Sequence, residues 1–453
     1  MSSGLGKEIA VWSGSYDFVL SQWGVGHGGF HSQSLVFQKR DREPTRDVGA
    51  PFHLRVVYDC GSGRTRTARP ALVAAVSRML LEVPDASVID LLVVSHFDQD
   101  HINGLALLST ELQRRQITVG RIWAPVLTGI EALVVAIHSA PGQRAGVADF
   151  LADPSEALET LFPGAEVLSL PPSTDAIPTI EPPDDTPDPD QVDDADPDGD
   201  EGPIEVTLVD EAVGAGLKVR AARAGRPSAN EPLWELQPYI SESSLQGAAS
   251  VEAVVRAKLG KPIDECTLAD VLSLRTDTAF MKQFNAAVQA HHAKTPRGSR
   301  ASSARTGPNL STICLYSGPV SPYDWCRYRR GWDGIGVAPE AVPIAPSWLG
   351  TGDAGLAAAQ HVDAMRAVLG QSRLDRVGVA SVPHHGSQLD SGAPLWDALT
   401  SLRRVTIEAA HQVGGQGNHH PHTPVLRELR SRRLNVHVAV DRADFHWYDR
   451  RIR

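Results

Sequence analysis

The chain has 453 residues, of which 42% are hydrophobic and 21% are charged, a composition typical of globular proteins rather than of disordered or fibrous chains. This length predicts either two domains or one large domain with insertions. No segment approaches the roughly 20 apolar residues of a membrane helix, and the N-terminus lacks the basic head and apolar run of a signal peptide. The four cysteines are scattered and include no CxxC pair. We therefore expect a soluble protein of the reducing cytoplasm, with no membrane partner.

The net charge of −11 comes from one acidic segment. Residues 171–203 contain twelve Asp or Glu and no Lys or Arg, so the rest of the chain is close to charge balance. The acidity therefore neither excludes nor indicates a nucleic-acid partner. Because Pro and Asp dominate this segment and apolar residues are few, the sequence predicts a disordered acidic linker, most simply a passive one.

Strand and helix patterns alternate on both sides of this linker. Before it, strand-like segments around a glycine-rich VGHGGFH lead into a third strand, a helix and the segment DLLVVSHFDQDHINGLALL. After it, two helical segments predict a small helical insertion, and the alternation resumes at NLSTICLYSG. The pattern favours an α/β fold. We expect one metal-binding domain in two halves, 8–170 and 306–453, separated by the linker 171–203 and the insertion 204–305.

Four side chains that can bind a metal fall within six residues, directly after an apolar strand. They are His96, Asp98, Asp100 and His101. A divalent ion needs several ligands at about 2 Å from one point, and zinc and manganese accept imidazole and carboxylate donors. The spacing predicts that His96 and Asp98 reach one ion, and that Asp100 and His101 reach a second.

This HxDxDH pattern resembles the signature of the metallo-β-lactamase superfamily, in which the second position is more often His. Asp98 at that position resembles a branch that includes the hydrolase domain of the DNA-uptake protein ComEC and choline-phosphate esterases. Further segments resemble the same branch in the expected order, whereas 171–305 has no such counterpart. These segments are the glycine turn VGHGGFHSQSLVF without its usual acidic residue, VYDCGSG with Asp59, TGD at 351–353, PHHGS at 383–387 and NHHPHTPVLREL with His420.

The resemblance implies the rest of the metal-ligand set. Asp353 would bridge two ions, and His385 and His420 would complete the ligands. Which of His384 and His385 binds metal stays open; we assign His385 as the ligand and His384 to contact with the substrate or protonation of the leaving group. The superfamily often has another histidine after the metal motif, but His138 lies in a helix-like context and is the weaker alternative.

Two further residues, Asn309 and Ser311, are candidates for lining the substrate pocket. They precede the strand that follows the insertion. They either bind substrate or make ordinary hydrogen bonds at the start of this strand, and the sequence does not choose between these roles.

The resemblance implies an αββα sandwich and a binuclear hydrolase with two divalent ions. Zinc is the first choice, and manganese follows closely because Asp98 makes one site harder than usual. Such ions activate water toward a pKa of about 7, and Asp100 is the residue on which catalysis is expected to depend. We expect phosphodiester cleavage, with DNA or RNA favoured as substrate. The alternatives are a small phosphoester, cyclic nucleotide, lactone or amide as substrate, or a degenerate metal module that binds a partner protein through the helical insertion.

Overall fold

The computed structural model describes part of the chain. Most of the predicted acidic linker lies outside it. The described residues are 14–39, 50–63, 68–127, 131, 153–173, 204–210, 216–223, 226–241, 249–262, 265–266, 270, 273–274, 277–294, 311–320, 326–328, 347–409, 415, 419–440 and 444–452.

The described strands form two eight-stranded sheets. Numbered along the chain, the strands are Gly14–Gln22 (β1), His31–Lys39 (β2), Phe52–Tyr58 (β3), Val88–Val93 (β4), Thr118–Pro125 (β5), Glu166–Leu170 (β6), Ile204–Asp210 (β7), Leu217–Arg223 (β8), Arg226–Ser241 (β9), Thr312–Pro319 (β10), Cys326–Tyr328 (β11), Ser347–Gly350 (β12), Val377–Ser381 (β13), Arg404–Glu408 (β14), Asn435–Ala439 (β15) and Phe445–Ile452 (β16).

Helices connect and cover these strands. They are Ala68–Leu81 (α1), Gln99–Ile102 (α2), Leu105–Arg114 (α3), Pro154–Leu161 (α4), Ala249–Leu259 (α5), Thr278–Lys294 (α6), Ala359–Leu369 (α7), Gln371–Leu374 (α8), the 3-10 helix Pro383–Gly386, Ala393–Ala398 (α9) and Thr423–Ser431 (α10). None of the described helices is both long and apolar enough to cross a membrane.

Both sheets combine an antiparallel part with a parallel part. The first has the order β11-β16-β1-β2-β3-β4-β5-β6, and the second has the order β15-β14-β13-β12-β10-β9-β8-β7. Pairing is parallel from β3 to β6 and from β12 to β15, and antiparallel elsewhere. The parallel strands have near-continuous apolar runs because both of their faces are buried, as in VIDLLV of β4 and VGVAS of β13. The predicted mixed α/β class is confirmed.

The described residues form a core of three hydrophobic clusters. One joins side chains of both sheets, among them Phe18, Trp234 and Val379. A second combines the first sheet with helices, including Leu72 of α1 and Phe284 of α6. The third combines the second sheet with α7, α9 and α10. Each sheet therefore contributes side chains to two clusters.

The segment predicted to be a helical insertion is not helical throughout. Its first part, 204–241, forms β7, β8 and β9, and these strands extend the second sheet from β10. Helices begin only at Ala249. The prediction of a helical insertion across 204–305 is thus corrected for this part: IEVTLVD and LKVRAAR alternate with the period of a strand. Pairing with a strand distant in sequence settles their conformation.

Candidate metal centre

The predicted metal-binding residues lie where strands of the two sheets end. The loop 94–98 follows β4, Asp353 follows β12, and the 3-10 helix with His384 and His385 follows β13. These strands belong to the parallel parts of the two sheets. The carboxyl ends of parallel strands share one edge of a sheet, which is where α/β proteins place their ligand sites.

Asp59 fixes the loop that carries the HxDxDH motif. One oxygen of its carboxylate accepts a 2.6 Å hydrogen bond from the Ser95 backbone amide. The other accepts hydrogen bonds from the Ser95 hydroxyl, at 2.6 Å, and from Nδ1 of His101, at 2.8 Å. Asp59 itself has a positive φ of 59°, a conformation that Asp tolerates better than most residues. Through these hydrogen bonds, Asp59 fixes the orientation of the loop that carries the HxDxDH motif.

His96, His101 and Asp353 form one group of potential ligands, and all three are buried. Nε2 of His96 lies 3.5 Å from Oδ2 of Asp353, and Nε2 of His101 lies 3.4 Å from Oδ1. These separations exceed ordinary hydrogen bonds. They match the roughly 3.3–3.4 Å between two ligands of a tetrahedral ion bound at about 2.0–2.1 Å.

Two atoms of this group lack a hydrogen-bond partner. Among the described residues, Nε2 of His96 and Oδ1 of Asp353 are buried without one. A buried polar atom without a partner costs free energy, and a metal ion removes this cost by accepting a lone pair from each atom. The residues therefore fit a metal ion.

His27, Asp100 and His385 form a second group. Oδ2 of Asp100 lies 3.5 Å from Nε2 of His27 and 3.3 Å from Nε2 of His385. Nε2 of His385 also lies 3.4 Å from Nε2 of His101 and 3.6 Å from Oδ1 of Asp353. The two groups are thus adjacent, and Asp353 stands between them.

The outer nitrogen of each central histidine has its own partner. Nδ1 of His385 donates to the backbone oxygen of Glu408 at 3.0 Å. Nδ1 of His96 lies 2.9 Å from the Ser95 hydroxyl, and Nδ1 of His101 is bound by Asp59. A hydrogen bond at Nδ1 fixes the tautomer and directs the lone pair of Nε2 to the centre, as in known histidine–metal sites.

His384 approaches the centre without joining either group. Its Nε2 lies 3.5 Å from Oδ2 of Asp353, and its Nδ1 is hydrogen-bonded at 2.7 Å to Asp390. His384 and His385 both have positive φ, 48° and 55°. This uncommon backbone directs two consecutive rings toward Asp353, and such conformations are concentrated at functional sites.

The buried carboxylates and histidines of the centre shift one another's pKa. Burial opposes ionisation of Asp353, but the surrounding histidines hold its pKa well below the usual range. Burial likewise disfavours the cation of His384, yet Asp353 and Asp390 raise its pKa to about 10. Burial, followed by the charge of His385, lowers the pKa of His27 to about 3. His27 is therefore a neutral imidazole, the form that binds metals.

Some predicted site residues lie at the margin of the centre. The side chain of Asp98 is 47% exposed, and its carboxylate comes no closer than 3.9 Å to Nε2 of His96. The ring of His420 lies 5.4 Å from that of His384 and 5.7 Å from that of His27, centre to centre. Burial, followed by His384 and His385, lowers the pKa of His420 to about 2. Neither residue belongs to the two groups among the described residues.

Of the two predicted pocket residues, Ser311 and Asn309, the structure describes only Ser311. The backbone amide of Ser311 donates to the buried carboxylate of Glu131 at 2.7 Å, which agrees with a hydrogen-bonding role at the start of β10. Its hydroxyl is buried without a partner among the described residues. Asn309 and His138 lie outside the described residues.

The sequence reasoning missed His27. This residue lies in the VGHGGFH loop between β1 and β2. A Cβ at Gly28 would lie 2.6 Å from the Asp100 backbone oxygen, and one at Gly29 would lie 2.6 Å from Nδ1 of His101. Glycine is therefore needed for the loop to approach the metal motif, and a histidine within a glycine-rich turn was the available signal.

Comparisons with known proteins add no assignment. No model of a known protein family matches the chain, and no curated protein matches it. Inferences about its activity consequently depend on the motifs and on the geometry above.

Proposed function

We propose that the chain is a metallo-β-lactamase-like hydrolase of αββα architecture that binds two divalent ions and cleaves phosphodiester bonds. The fold supports this proposal through the cluster shared by the two sheets and the helices in the two outer clusters. The observation that carries it is Asp353, whose two oxygens lie 3.4–3.6 Å from the Nε2 atoms of four histidines.

In the proposed centre, His96, His101 and Asp353 would hold the first ion, and Asp100 and His385 would contribute to the second. Zinc is the first choice for this mixture of imidazole and carboxylate, with manganese as the alternative. Bound divalent ions would supply an activated water near neutral pH and neutralise charge on the phosphoryl oxygens.

The protein side chains would then orient the reactants. Asp353 lies between the two groups, with its oxygens 3.4–3.6 Å from histidines of both. His384 has its Nδ1 bound to Asp390, so its Nε2 faces the centre. From there it can give a proton to the leaving oxygen, which is general acid catalysis. Asp59 keeps His101 in the required tautomer through the bond at Nδ1.

Nucleic acid is the favoured substrate. Arg427 and Arg430 are exposed on α10, the helix that begins directly after His422, and exposed cations can bind the backbone of a polynucleotide. Arg432 does not add to this surface, because it is bound to Asp397 and Glu428.

A small phosphoester is the second candidate, and burial favours it. His96, His101 and His385 are each at most 3% exposed. The more accessible side chains of the centre are His27, Asp100 and His384, at 31%, 22% and 20%. Access to the centre is thus narrow. A small ester fits such an opening, and a single nucleic-acid strand fits it too.

The test uses purified protein supplied with zinc or manganese. Plasmid, single-stranded DNA, RNA and bis-p-nitrophenyl phosphate are assayed with the wild type, Asp100→Ala and the surface control Asp85→Ala, since Asp85 is 71% exposed. The proposal expects cleavage of a nucleic acid, loss with Asp100→Ala and normal cleavage with Asp85→Ala. Cleavage of bis-p-nitrophenyl phosphate alone transfers support to the small ester. If none of the four is cut and elemental analysis finds no metal, the hydrolase proposal fails. A partner-binding module would then remain.

A further inference from the structure

We propose that His27 is a ligand of the second metal ion, and that Asp444 is a positioning residue for the loop that carries it. The inference rests on the metal centre of the proposed function and adds a ligand from outside the motif segments. We define this loop as 23–30, between β1 and β2.

His27 is the third member of the second group. Of the residues predicted from sequence, only Asp100 and His385 belong to this group, and Asp353 lies beside it, 3.6 Å from Nε2 of His385. His27 adds a histidine donor, with Nε2 at 3.5 Å from Oδ2 of Asp100, and gives the group the three protein ligands of a catalytic zinc site without counting the shared Asp353. Its ring centre lies 3.9 Å from that of His385, whereas the ring centre of His420 lies 6.4 Å away. His27 is therefore better placed than His420 to complete this group.

The loop is packed directly on the metal motif. The backbone amide of Gly29 donates to the backbone oxygen of Asp100 at 3.1 Å, and the amide of Gly61 donates to the oxygen of Gly29 at 2.8 Å. No side chain fits between these segments, because a Cβ at Gly61 would lie 2.2 Å from the Asp100 oxygen. The loop and Asp100 thus form one unit, and a shift of either changes the geometry of both.

Asp444 binds the other end of the loop. Its Oδ1 accepts a 2.7 Å hydrogen bond from the backbone amide of Gly24. Its carboxylate also receives two 2.7 Å hydrogen bonds from the guanidinium of Arg78 on α1, and this guanidinium lies 5.9 Å from the ring centre of Trp23. Asp444 is 13% exposed. Among the described residues, none of these hydrogen bonds joins it to a member of the two ligand groups, so its effect on the second ion would pass through the loop.

The experiment measures metal content and the affinity of each site by elemental analysis and chelator competition. The variants are His27→Ala, His96→Ala and the exposed control His361→Ala. We expect two ions in the wild type and in His361→Ala. His27→Ala should keep the first ion and bind the second at least about 100-fold more weakly, since even partners outside the ligand shell are worth 10- to 100-fold. His96→Ala should lose the first ion instead.

A second pair of variants separates a ligand from a purely structural residue. His27→Gln keeps a polar side chain but should lose the second ion as His27→Ala does. His27→Asp supplies another metal donor and should recover part of the affinity. In the cobalt-substituted protein, the visible absorption of the second site should change in His27→Asp and vanish in His27→Gln, while that of the first site stays.

The role of Asp444 is tested with Asp444→Ala beside the surface control Asp397→Ala. We expect Asp444→Ala to weaken the second ion by about tenfold, at the low end for residues beyond the ligands, and to leave the first ion unchanged. The control should alter neither. If both sites of Asp444→Ala bind metal with the affinity of the wild type, the positioning role of Asp444 is overturned.

The outcomes distinguish this inference from the proposed function. Two tightly bound ions in His27→Ala and His27→Gln, each folded by circular dichroism, would overturn the assignment of His27 and leave the binuclear hydrolase intact. A wild type that binds no zinc or manganese would overturn both. A wild type with a single ion that persists in His27→Ala but disappears in His96→Ala would also overturn the assignment of His27.

Discussion

Oδ2 of Asp59 lies 2.8 Å from Nδ1 of His101, so one buried carboxylate orients one of the central imidazoles. The same oxygen accepts a hydrogen bond from the Ser95 hydroxyl, which in turn contacts Nδ1 of His96. Two histidines of the first group thus depend on a single side chain that does not face the centre itself. In the proposed metal centre, this arrangement would make Asp59 a structural determinant of metal affinity.

Asp59→Asn should therefore weaken metal binding by about 10- to 100-fold, the range found for partners of metal-bound histidines. Asn tolerates the positive φ at this position, so the change removes charge without disturbing the turn. Chelator competition measures the affinity. Asp85→Asn is the matched control, because Asp85 is 71% exposed and pairs only with Arg115 among the described residues. Equal affinity in the two variants would contradict the role of Asp59.

Asp98 and Asp100 are two residues apart but should differ in their contribution to metal binding. Asp100 contacts His27 and His385, whereas Asp98 precedes α2 with its side chain 47% exposed. Asp100→Asn should abolish binding at the second site, while Asp98→Asn should change either affinity by less than about tenfold. Isothermal titration with zinc measures both. If Asp98→Asn loses an ion as completely as Asp100→Asn does, then Asp98 is a full ligand, as the motif predicts.

Local sequence patterns predict much of the fold, but the prediction missed strands β7 to β9. The apolar run of β4 and the helical spacing of α1 are visible in sequence because burial imposes its period on neighbouring residues. For β7 to β9 the signal is weaker. Strand β9 contains Pro232 and Pro238, which argue against a strand by themselves. Its pairing with β10 decides the outcome, and β10 lies far along the chain.

The residues of the candidate site also divide into those that the sequence predicts and one that it does not. His96, Asp98, Asp100 and His101 are recognisable because they are contiguous and because few other roles need four metal donors together. His27 is a single histidine, and the glycine-rich loop around it is the one sequence feature that sets it apart. Only the folded arrangement brings it to Asp100. The exposure of Asp98 is likewise set by the backbone direction at the start of α2, which the spacing does not encode.

The metal-free protein should lose stability as the pH rises above neutral. The pKa of His384 is about 10 in the folded protein, because Asp353 and Asp390 outweigh the effect of burial. Since this folded pKa lies above the unfolded value of about 6.5, the stabilisation is fully present below pH ~6.5 and is lost as the pH rises toward ~10. We expect the free energy of unfolding to fall by at least about 1 kcal/mol across this window.

Urea unfolding of chelator-treated protein between pH 6.5 and 10 measures this effect. His384→Asn should flatten the profile, whereas the exposed control His361→Ala should retain the slope. Zinc-loaded protein should depend less on pH, because the ion replaces the proton as the positive partner of Asp353. A metal-free profile that is flat across the window in the wild type would contradict the assignment.

A buried ion cluster distant in sequence from the metal motif should contribute strongly to stability. Glu235 of β9 is 3% exposed and binds Arg373 through two hydrogen bonds of 2.8 and 2.9 Å and Arg376 at 3.2 Å. It joins the strand segment that the sequence did not predict to the parallel part of the same sheet. Glu235→Gln removes the carboxylate and leaves two arginines without their shared anion.

We expect Glu235→Gln to lower the free energy of unfolding by about 3 kcal/mol, since loss of one member of a buried ion pair leaves uncompensated charge. Asp363→Asn is the control: Asp363 is 61% exposed and pairs with Arg366 one helical turn away, so its loss should cost below about 0.5 kcal/mol. Urea unfolding at neutral pH measures both. Equal costs would mean that solvent screens the Glu235 cluster despite its burial, and the link between β9 and β13 would then depend on packing instead.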